Sequence, residues 1–373
     1  MGKIFLSAGE ISGDLHGAFL ARALYEEIPG IQLCGIGGER MKVAGVTLID
    51  DLTEKSSVGI LEGLPHLREN LSSLKKARRF VREWKPDSVI FIDNQGFNLN
   101  LAKTVKKEGI TSFYYFAPQY WLWGLKKASS LENKLDHILA VFRQEDAFYK
   151  GTSLSVDYIG HPILDEMPLL DKGEARRLLG LSSSYDKPLI GLLPGSRSQE
   201  FRTLFPLFLK TAEALKGEFD FIMPFASSSF YERYAPETPP FIKTVKKEGT
   251  VVMQAADLLI LSSGTATLEA AVAGTPMIIT YKVSLLTEIV ARLLVKVSYV
   301  GMPNIIAGKG IVPELLQRDL TQPKLTAMVK KILEDKTEYQ RIKRELSQVK
   351  ASLEPAGAVR RAARLIKERC CHE

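Results

Sequence analysis

The chain has 373 residues, 45% of them hydrophobic and 25% charged, a mix that excludes a disordered or collagen-like polymer. Lysine and arginine outnumber aspartate and glutamate by 50 to 43, a net charge of +7 that allows an anionic partner without selecting one. Three cysteines, Cys34, Cys370 and Cys371, are too few and wrongly spaced for a disulfide framework or a structural zinc site, so a reducing compartment is expected.

In chain order, short apolar runs alternate with longer helical patterns. Ile4–Ala8, Gln32–Ile36, Ser88–Asp93, Thr111–Phe116, Ile138–Val141 and Asp157–Ile159 read as strands. Leu15–Glu27, Leu64–Trp84 and Leu99–Glu108 read as helices between them. That order predicts an α/β fold with a parallel sheet covered by helices on both faces. A polar helical connection, Asp165–Gly180, and a loop-forming run, Ser182–Pro188, interrupt it. Alternation restarts with strands at Leu189–Leu193, Phe219–Pro224, Lys243–Val245, Leu258–Leu261 and Pro276–Tyr281. Thr337–Glu373 is a charged helical pattern broken at Pro355-Ala-Gly357. Two similar nucleotide-binding-type domains follow, residues 1–166 and 167–349, hinged near 165–186, with sheets facing each other across a cleft. The first ten residues lack the apolar run of a signal peptide, and no uncharged stretch is long enough to span a bilayer. A cytoplasmic chain is expected, one that meets a membrane only from the side.

Parallel sheets bind ligands where strands run into helices. Ser7–Asp14 follows the first strand, and its Ser12 and Asp14 either meet a polar ligand or cap the helix. The three-glycine dinucleotide fingerprint is absent there and at Gly35-Ile-Gly-Gly38, and no P-loop occurs anywhere. Asp93, at the end of a strongly apolar strand, is the best general-base candidate, against the alternative of an Asx-turn. His161, before Pro162, is a second base or a hinge residue. Arg197, in Leu193-Pro-Gly-Ser-Arg197, offers a planar cation for a phosphate or is a surface residue of a turn. Ser263, Gly264 and Thr265 lead a buried strand into a helix whose N-terminus favours anions. Glu269 lies one residue too far along for a capping box, which favours hydrogen bonding to a ribose diol. Trp121 and Trp123 form a sugar-stacking wall or plug the core. Asn304 sits in a loop where it could bridge a diphosphate or a sugar. No Asp-x-Asp metal motif is present.

One helix carries a further pattern. Leu64, Leu67, Leu71 and Leu74 form an apolar stripe, followed by Lys75, Lys76, Arg78, Arg79 and Arg82. The stripe either docks on an anionic bilayer or packs on the first sheet.

Taken together, the motifs resemble the lipid A disaccharide synthase family. The matches are Ala8–Asp14, Gly35–Met41, Val58–Glu62, Ile92-Asp93 with Phe97-Asn98, Trp121-Leu-Trp123, Ile159–His161, Leu192–Arg197, Ser263–Glu269 and Met302–Asn304, over nearly the whole chain. Gln95 and Gly96 stand where the family usually has Pro-Asp, and Gly124 where it usually has Arg; both departures lie on the acceptor side.

The resemblance implies two Rossmann-like domains in the GT-B arrangement, a donor domain and an acceptor domain, with a C-terminal helix, 350–373, crossing back to the first. It implies an inverting transfer from UDP-2,3-diacylglucosamine to 2,3-diacylglucosamine 1-phosphate, giving the β-1,6-linked disaccharide 1-phosphate and UDP. Asp93 would be the base. Arg197, the Ser263–Thr265 amides and Asn304 would hold the diphosphate, and Glu269 the ribose. Ser12, Asp14, Asn98, Trp121, Trp123 and His161 would line the acceptor or cleft loops. No cofactor or metal is implied, nor any nucleic-acid partner. Peripheral contact with the cytoplasmic face of an inner membrane is expected, and a homodimer is allowed. The alternative is another GT-B enzyme acting on UDP-GlcNAc, a transferase or a 2-epimerase.

Overall fold

The structure, a computed structural model, describes residues 2–53, 67–123, 128–181, 186–282 and 299–370. The chain divides into two compact units, Met1–Glu166 with Leu353–Glu373, and Met167–Ser352.

The first unit holds seven strands: β1 (Lys3–Ala8), β2 (Gln32–Ile36), β3 (Thr47–Asp50), β4 (Ser88–Ile92), β5 (Thr111–Tyr115), β6 (His137–Ala140) and β7 (Ser155–Tyr158). Their order is β3-β2-β1-β4-β5-β6-β7, and all pairs are parallel. Every residue of β4 is buried, as a strand covered on both faces must be. On one face, Leu74, Ala77 and Val81 of helix Leu67–Trp84 and Leu101, Ala102 and Val105 of helix Gln95–Lys107 join a core with Phe5, Val89, Phe91 and Tyr114. Helix Ala358–Cys370 packs on helix Ile11–Glu27. Polar contacts, among them those of Asp165 and Arg369, hold the C-terminal segment to this unit. Asp165 accepts from the Gly357 and Val359 amides at 2.5 and 2.9 Å, and Arg369 pairs with Asp157 at 2.6 Å.

The second unit holds β8 (Leu189–Leu193), β9 (Asp220–Phe225), β10 (Ile242–Lys246), β11 (Leu258–Ser262), β12 (Met277–Tyr281) and β13 (Glu314–Leu316), in the parallel order β10-β9-β8-β11-β12-β13. Each sheet therefore reverses strand order once, between β1 and β4 in the first and between β8 and β11 in the second. Crevices of that kind are where doubly wound sheets bind ligands.

Several sequence expectations need correction. The strands β3 and β13 escape the pattern because they are short edge strands, each with one neighbour and few buried residues. The helical connection expected at Asp165–Gly180 is two short helices, Ile163–Glu166 and Lys172–Leu178, with Pro168 between them. The strand expected to reach Asp93 ends at Ile92, because Asp93 turns left-handed (φ 51°). The next helix starts at Gln95 rather than Leu99, capped by the Asn94 side chain. On helix Leu67–Trp84 the expected stripe splits: Leu74 is buried and Leu71 is 57% exposed. Leu64, Pro65, the Leu67 side chain and the Val58–Glu62 motif lie outside the described residues.

Candidate active site

In the first unit the crevice between β1 and β4 gathers the loops Ala8–Ser12 and Asp93–Gln95. The half-buried Asp93 turns its carboxylate toward helix Ile11–Glu27, where the Ser12 hydroxyl donates to Oδ2 at 3.4 Å. The backbone around it is closely fixed. The Asp93 amide donates to the Tyr115 carbonyl at 3.2 Å. Its own carbonyl accepts from the Tyr114 hydroxyl at 2.7 Å and from Asn98 Nδ2 at 2.8 Å. A Cβ on Gly9 would run into the Asn94 side chain, so the two loops meet closely at this glycine.

Other residues expected around an acceptor hold the scaffold together. Asn98 is fully buried, accepts from Ser7 Oγ at 2.6 Å and turns its amide on the Ser7, Ile92 and Asp93 carbonyls. Asp14 is also buried, and its carboxylate accepts from the amides of Gly38, Arg40 and Met41 at 2.7, 3.1 and 3.0 Å. It thereby caps helix Glu39–Val43 from a neighbouring helix. His161 accepts at Nδ1 from the Ile163 amide at 3.1 Å, so its proton resides on Nε2. Burial, with His16 nearby, holds its pKa well below the ordinary histidine value. It is a neutral capping group rather than a base poised near pH 7. Trp121 is half-buried 5.8 Å from the Phe142 ring, and its indole N–H finds no partner among the described residues. The side chain of Trp123 lies outside the described part of the chain.

In the second unit the crevice lies between β8 and β11. A Cβ on Gly195, whose φ is 109°, would come within 2.8 Å of Glu200 Oε2 and 3.0 Å of Ser262 Oγ, so the loops after both strands close on a bare backbone. Arg197 occupies the N-cap position of helix Ser198–Ala214, and its side chain is 41% exposed, the guanidinium 3.7 Å from Glu200. Burial raises the Glu200 carboxyl pKa, and Arg197 opposes that shift. Gly264 and Thr265 are exposed at the N-terminus of helix Thr265–Ala273, whose N-cap position is Gly264, and among the described residues nothing lies within 4 Å of a Cβ placed there. Glu269 is half-buried on that helix.

Two expected donor contacts are engaged elsewhere. The Ser263 amide donates to the Thr280 carbonyl at 3.0 Å and its hydroxyl to the Val300 carbonyl at 2.9 Å. Asn304 is fully buried, donates to Val312 O and Glu314 Oε1, and accepts from the Ile311 and Val312 amides. Its polar atoms fix its own loop, and Glu314 completes that lock by accepting from the Val300 and Gly301 amides at 2.9 and 3.0 Å.

Sequence reasoning missed Tyr114, Glu200, Glu314 and the pair His16–Glu166. His16 Nδ1 lies 2.9 and 2.8 Å from the two Glu166 oxygens, and its ring stacks on Phe116 at 3.9 Å. These partners are 150 residues apart, so no local pattern announces them. Glu200, three residues after Arg197, was within reach of spacing.

The family model that matches the chain is described as lipid-A-disaccharide synthetase and spans residues 4–367. A lipid-A-disaccharide synthase from Syntrophus aciditrophicus is 36% identical over 380 residues, covering 99% of both chains. One from Geobacter sulfurreducens is 36% identical, covering 98% of this chain and 97% of its own. Among solved structures, the glycotransferase of kitacinnamycin gives a TM-score of 0.66 at 16% identity, covering 99% of both chains. A UDP-GlcNAc 2-epimerase from Neisseria meningitidis, bound to UDP-GlcNAc, gives 0.64 at 11% identity over 98% of this chain and all (100%) of its own. The structural likenesses bear on the fold, two Rossmann-like units of the GT-B kind.

Proposed function

The chain belongs to the lipid-A-disaccharide synthetase family, and on that premise we propose an assignment of its residues to the steps of a glycosyl transfer. The enzyme is a glycosyltransferase of lipid A biosynthesis. It condenses UDP-2,3-diacylglucosamine with 2,3-diacylglucosamine 1-phosphate, giving the β-1,6-linked disaccharide 1-phosphate and UDP. The epimerase alternative has only a distant likeness of fold in its favour, against 36% identity to synthases along the full chain.

Asp93 takes the proton from the acceptor's primary hydroxyl as that oxygen attacks the anomeric carbon from the face opposite UDP. The bond from that carbon to the diphosphate oxygen breaks, and UDP leaves with the electron pair, so configuration inverts. Arg197 and the Gly264 and Thr265 amides at the helix N-terminus stabilise the charge that develops on the leaving diphosphate. Glu269 hydrogen-bonds the ribose hydroxyls. Ser263 and Asn304 shape the donor loop instead of touching the ligand. One observation carries this reading: the first reversal of strand order sets the Asp93 carboxylate at the end of β4 against Ser12, and the second brings the half-exposed Arg197 and the exposed N-terminus of helix Thr265–Ala273 to the loops after β8 and β11. Incubation with both acylated sugars, read by the mass of the product, tests it.

A peripheral contact with an anionic membrane, on the cytoplasmic face of the inner membrane, belongs to the same reading, because both substrates carry acyl chains. Among the described residues, no helix is long and apolar enough to cross a membrane. The large exposed apolar side chains of the first unit include Ile11, Val43 and Leu71, 52%, 70% and 57% exposed, with Arg40, Lys42, Lys75 and Lys76 exposed close by in sequence. Such a combination suits an interface of acidic head groups.

A further inference from the structure

Asp93 and Asn94 both adopt the left-handed region, at φ 51° and 39°, although neither is glycine. Two such residues in succession cost free energy, and they persist only where their surroundings hold them. For Asn94 the restraint is local, since its side chain caps the Phe97 amide. For Asp93 it comes from further away. The amide is tied to the carbonyl of Tyr115, and the carbonyl receives two side-chain donors, the Tyr114 hydroxyl at 2.7 Å and Asn98 Nδ2 at 2.8 Å. Strand β5 therefore grips the Asp93 peptide units at both ends, through consecutive residues.

Tyr114 is fully buried, its ring 5.8 Å from that of Phe91. Burial, with Asp93 next in weight, pushes its phenol well above the ordinary value, so it remains a protonated donor at neutral pH. A phenylalanine would fill the same core volume. What the hydroxyl adds is hydrogen bonding, to the Asp93 carbonyl at 2.7 Å and to the Asn98 side chain that grips the same carbonyl. Fixing φ and ψ at Asp93 fixes its Cα–Cβ direction, and with it the region the carboxylate reaches through its side-chain torsions, on the side where Ser12 meets it.

We propose that Tyr114 is a positioning residue for the glycosyl transfer: with Asn98, it holds Asp93 in its left-handed conformation so that the carboxylate meets the acceptor hydroxyl in line for proton transfer. This rests on the assignment of Asp93 as the base. Tyr114 touches neither substrate nor the reacting atoms. Catalytic geometry is sensitive to displacements of about 1 Å, so the loss of one backbone restraint registers in turnover before it registers in binding.

The test is a double-mutant cycle on the full chain with both acylated sugars, using Tyr114→Phe, Asp93→Asn and the pair, with melting temperature as a control for folding. Tyr114→Phe is expected to lower kcat by about 10-fold, with KM for either sugar changed by less than about twofold. In the Asp93→Asn background the same substitution is expected to cost nothing further, because its route of action is already gone. Parental kcat in Tyr114→Phe overturns the proposal, as does an equal loss in both backgrounds, which marks a role independent of Asp93. Failure of the base assignment is separately visible, as near-parental turnover in Asp93→Asn alone.

Discussion

Ser12 Oγ lies 3.4 Å from Asp93 Oδ2, joining the loops that follow β1 and β4, the two strands between which the first sheet reverses its order. A carboxylate at that point faces the crevice in which such sheets take their ligands. The contact is long for a hydrogen bond.

Replacing Asp93 by asparagine should preserve the fold and UDP binding while cutting turnover by about 10²–10⁴-fold, the usual contribution of a general base. Steady-state kinetics beside a UDP titration check this. Near-parental turnover would move the base elsewhere. His161, the other candidate in the sequence, is a poor substitute because it is buried, neutral and committed to the Ile163 amide.

At the second reversal, Arg197→Ala and Glu269→Ala should each weaken UDP binding by about 1.5–3 kcal/mol, the loss of one charge-assisted contact. Asn304→Ala should behave differently. It leaves buried amides and carbonyls without partners, so it should destabilise the protein by about 2–4 kcal/mol and lower its melting temperature. Calorimetric titration and thermal melts separate the two effects. Unchanged UDP affinity in both Arg197→Ala and Glu269→Ala would show the donor site to be misplaced.

Much of this was legible in the sequence because fully buried parallel strands read as unbroken apolar runs, as in Ser88–Ile92 and Leu258–Ser262. Small-residue loops were legible too, because strands run closely into neighbouring loops there, as at Gly9 after β1 and Gly195 after β8. What could not be read was which polar side chains serve the scaffold. Asp14, Asn98, Asn304 and His161 sit inside conspicuous motifs, yet each is buried on backbone partners up to 91 residues away in sequence. Burial decides that, and burial is a property of packing. Tyr114 was hidden for the opposite reason, being one more aromatic in a core strand.

Stability should depend on pH through His161. Its pKa is lowered in the folded state, so the unfolded chain binds the extra proton first, and stability rises with pH in that range. The contribution is complete above the ordinary histidine value of about 6.5 and is lost as pH falls below it. His161→Asn keeps an acceptor for the Ile163 amide and removes the titrating group. Its melting temperature should therefore fall less than the parent's between neutral pH and pH ~5. Parallel melting curves for the two proteins would argue against the assignment.

Membrane contact can be separated from core packing by comparing exposed with buried apolar side chains. Val43→Ser with Leu71→Ser should reduce co-sedimentation with vesicles of anionic phospholipid while leaving the melt unchanged, since both side chains are exposed. Leu74→Ser should lower the melting temperature by several degrees, because Leu74 is buried in the core cluster. Full sedimentation of the double variant would place the contact elsewhere.

A glycosyl transfer between two acylated sugars is read most directly from its products. Incubate the purified protein with UDP-2,3-diacylglucosamine, with 2,3-diacylglucosamine 1-phosphate, and with both, each with and without a chelator, and measure UDP release and the product mass. UDP and the mass of the disaccharide 1-phosphate should appear only when both sugars are present, and chelation should leave the rate unchanged. Absence of the disaccharide, or UDP release that requires an added divalent ion, would contradict the account.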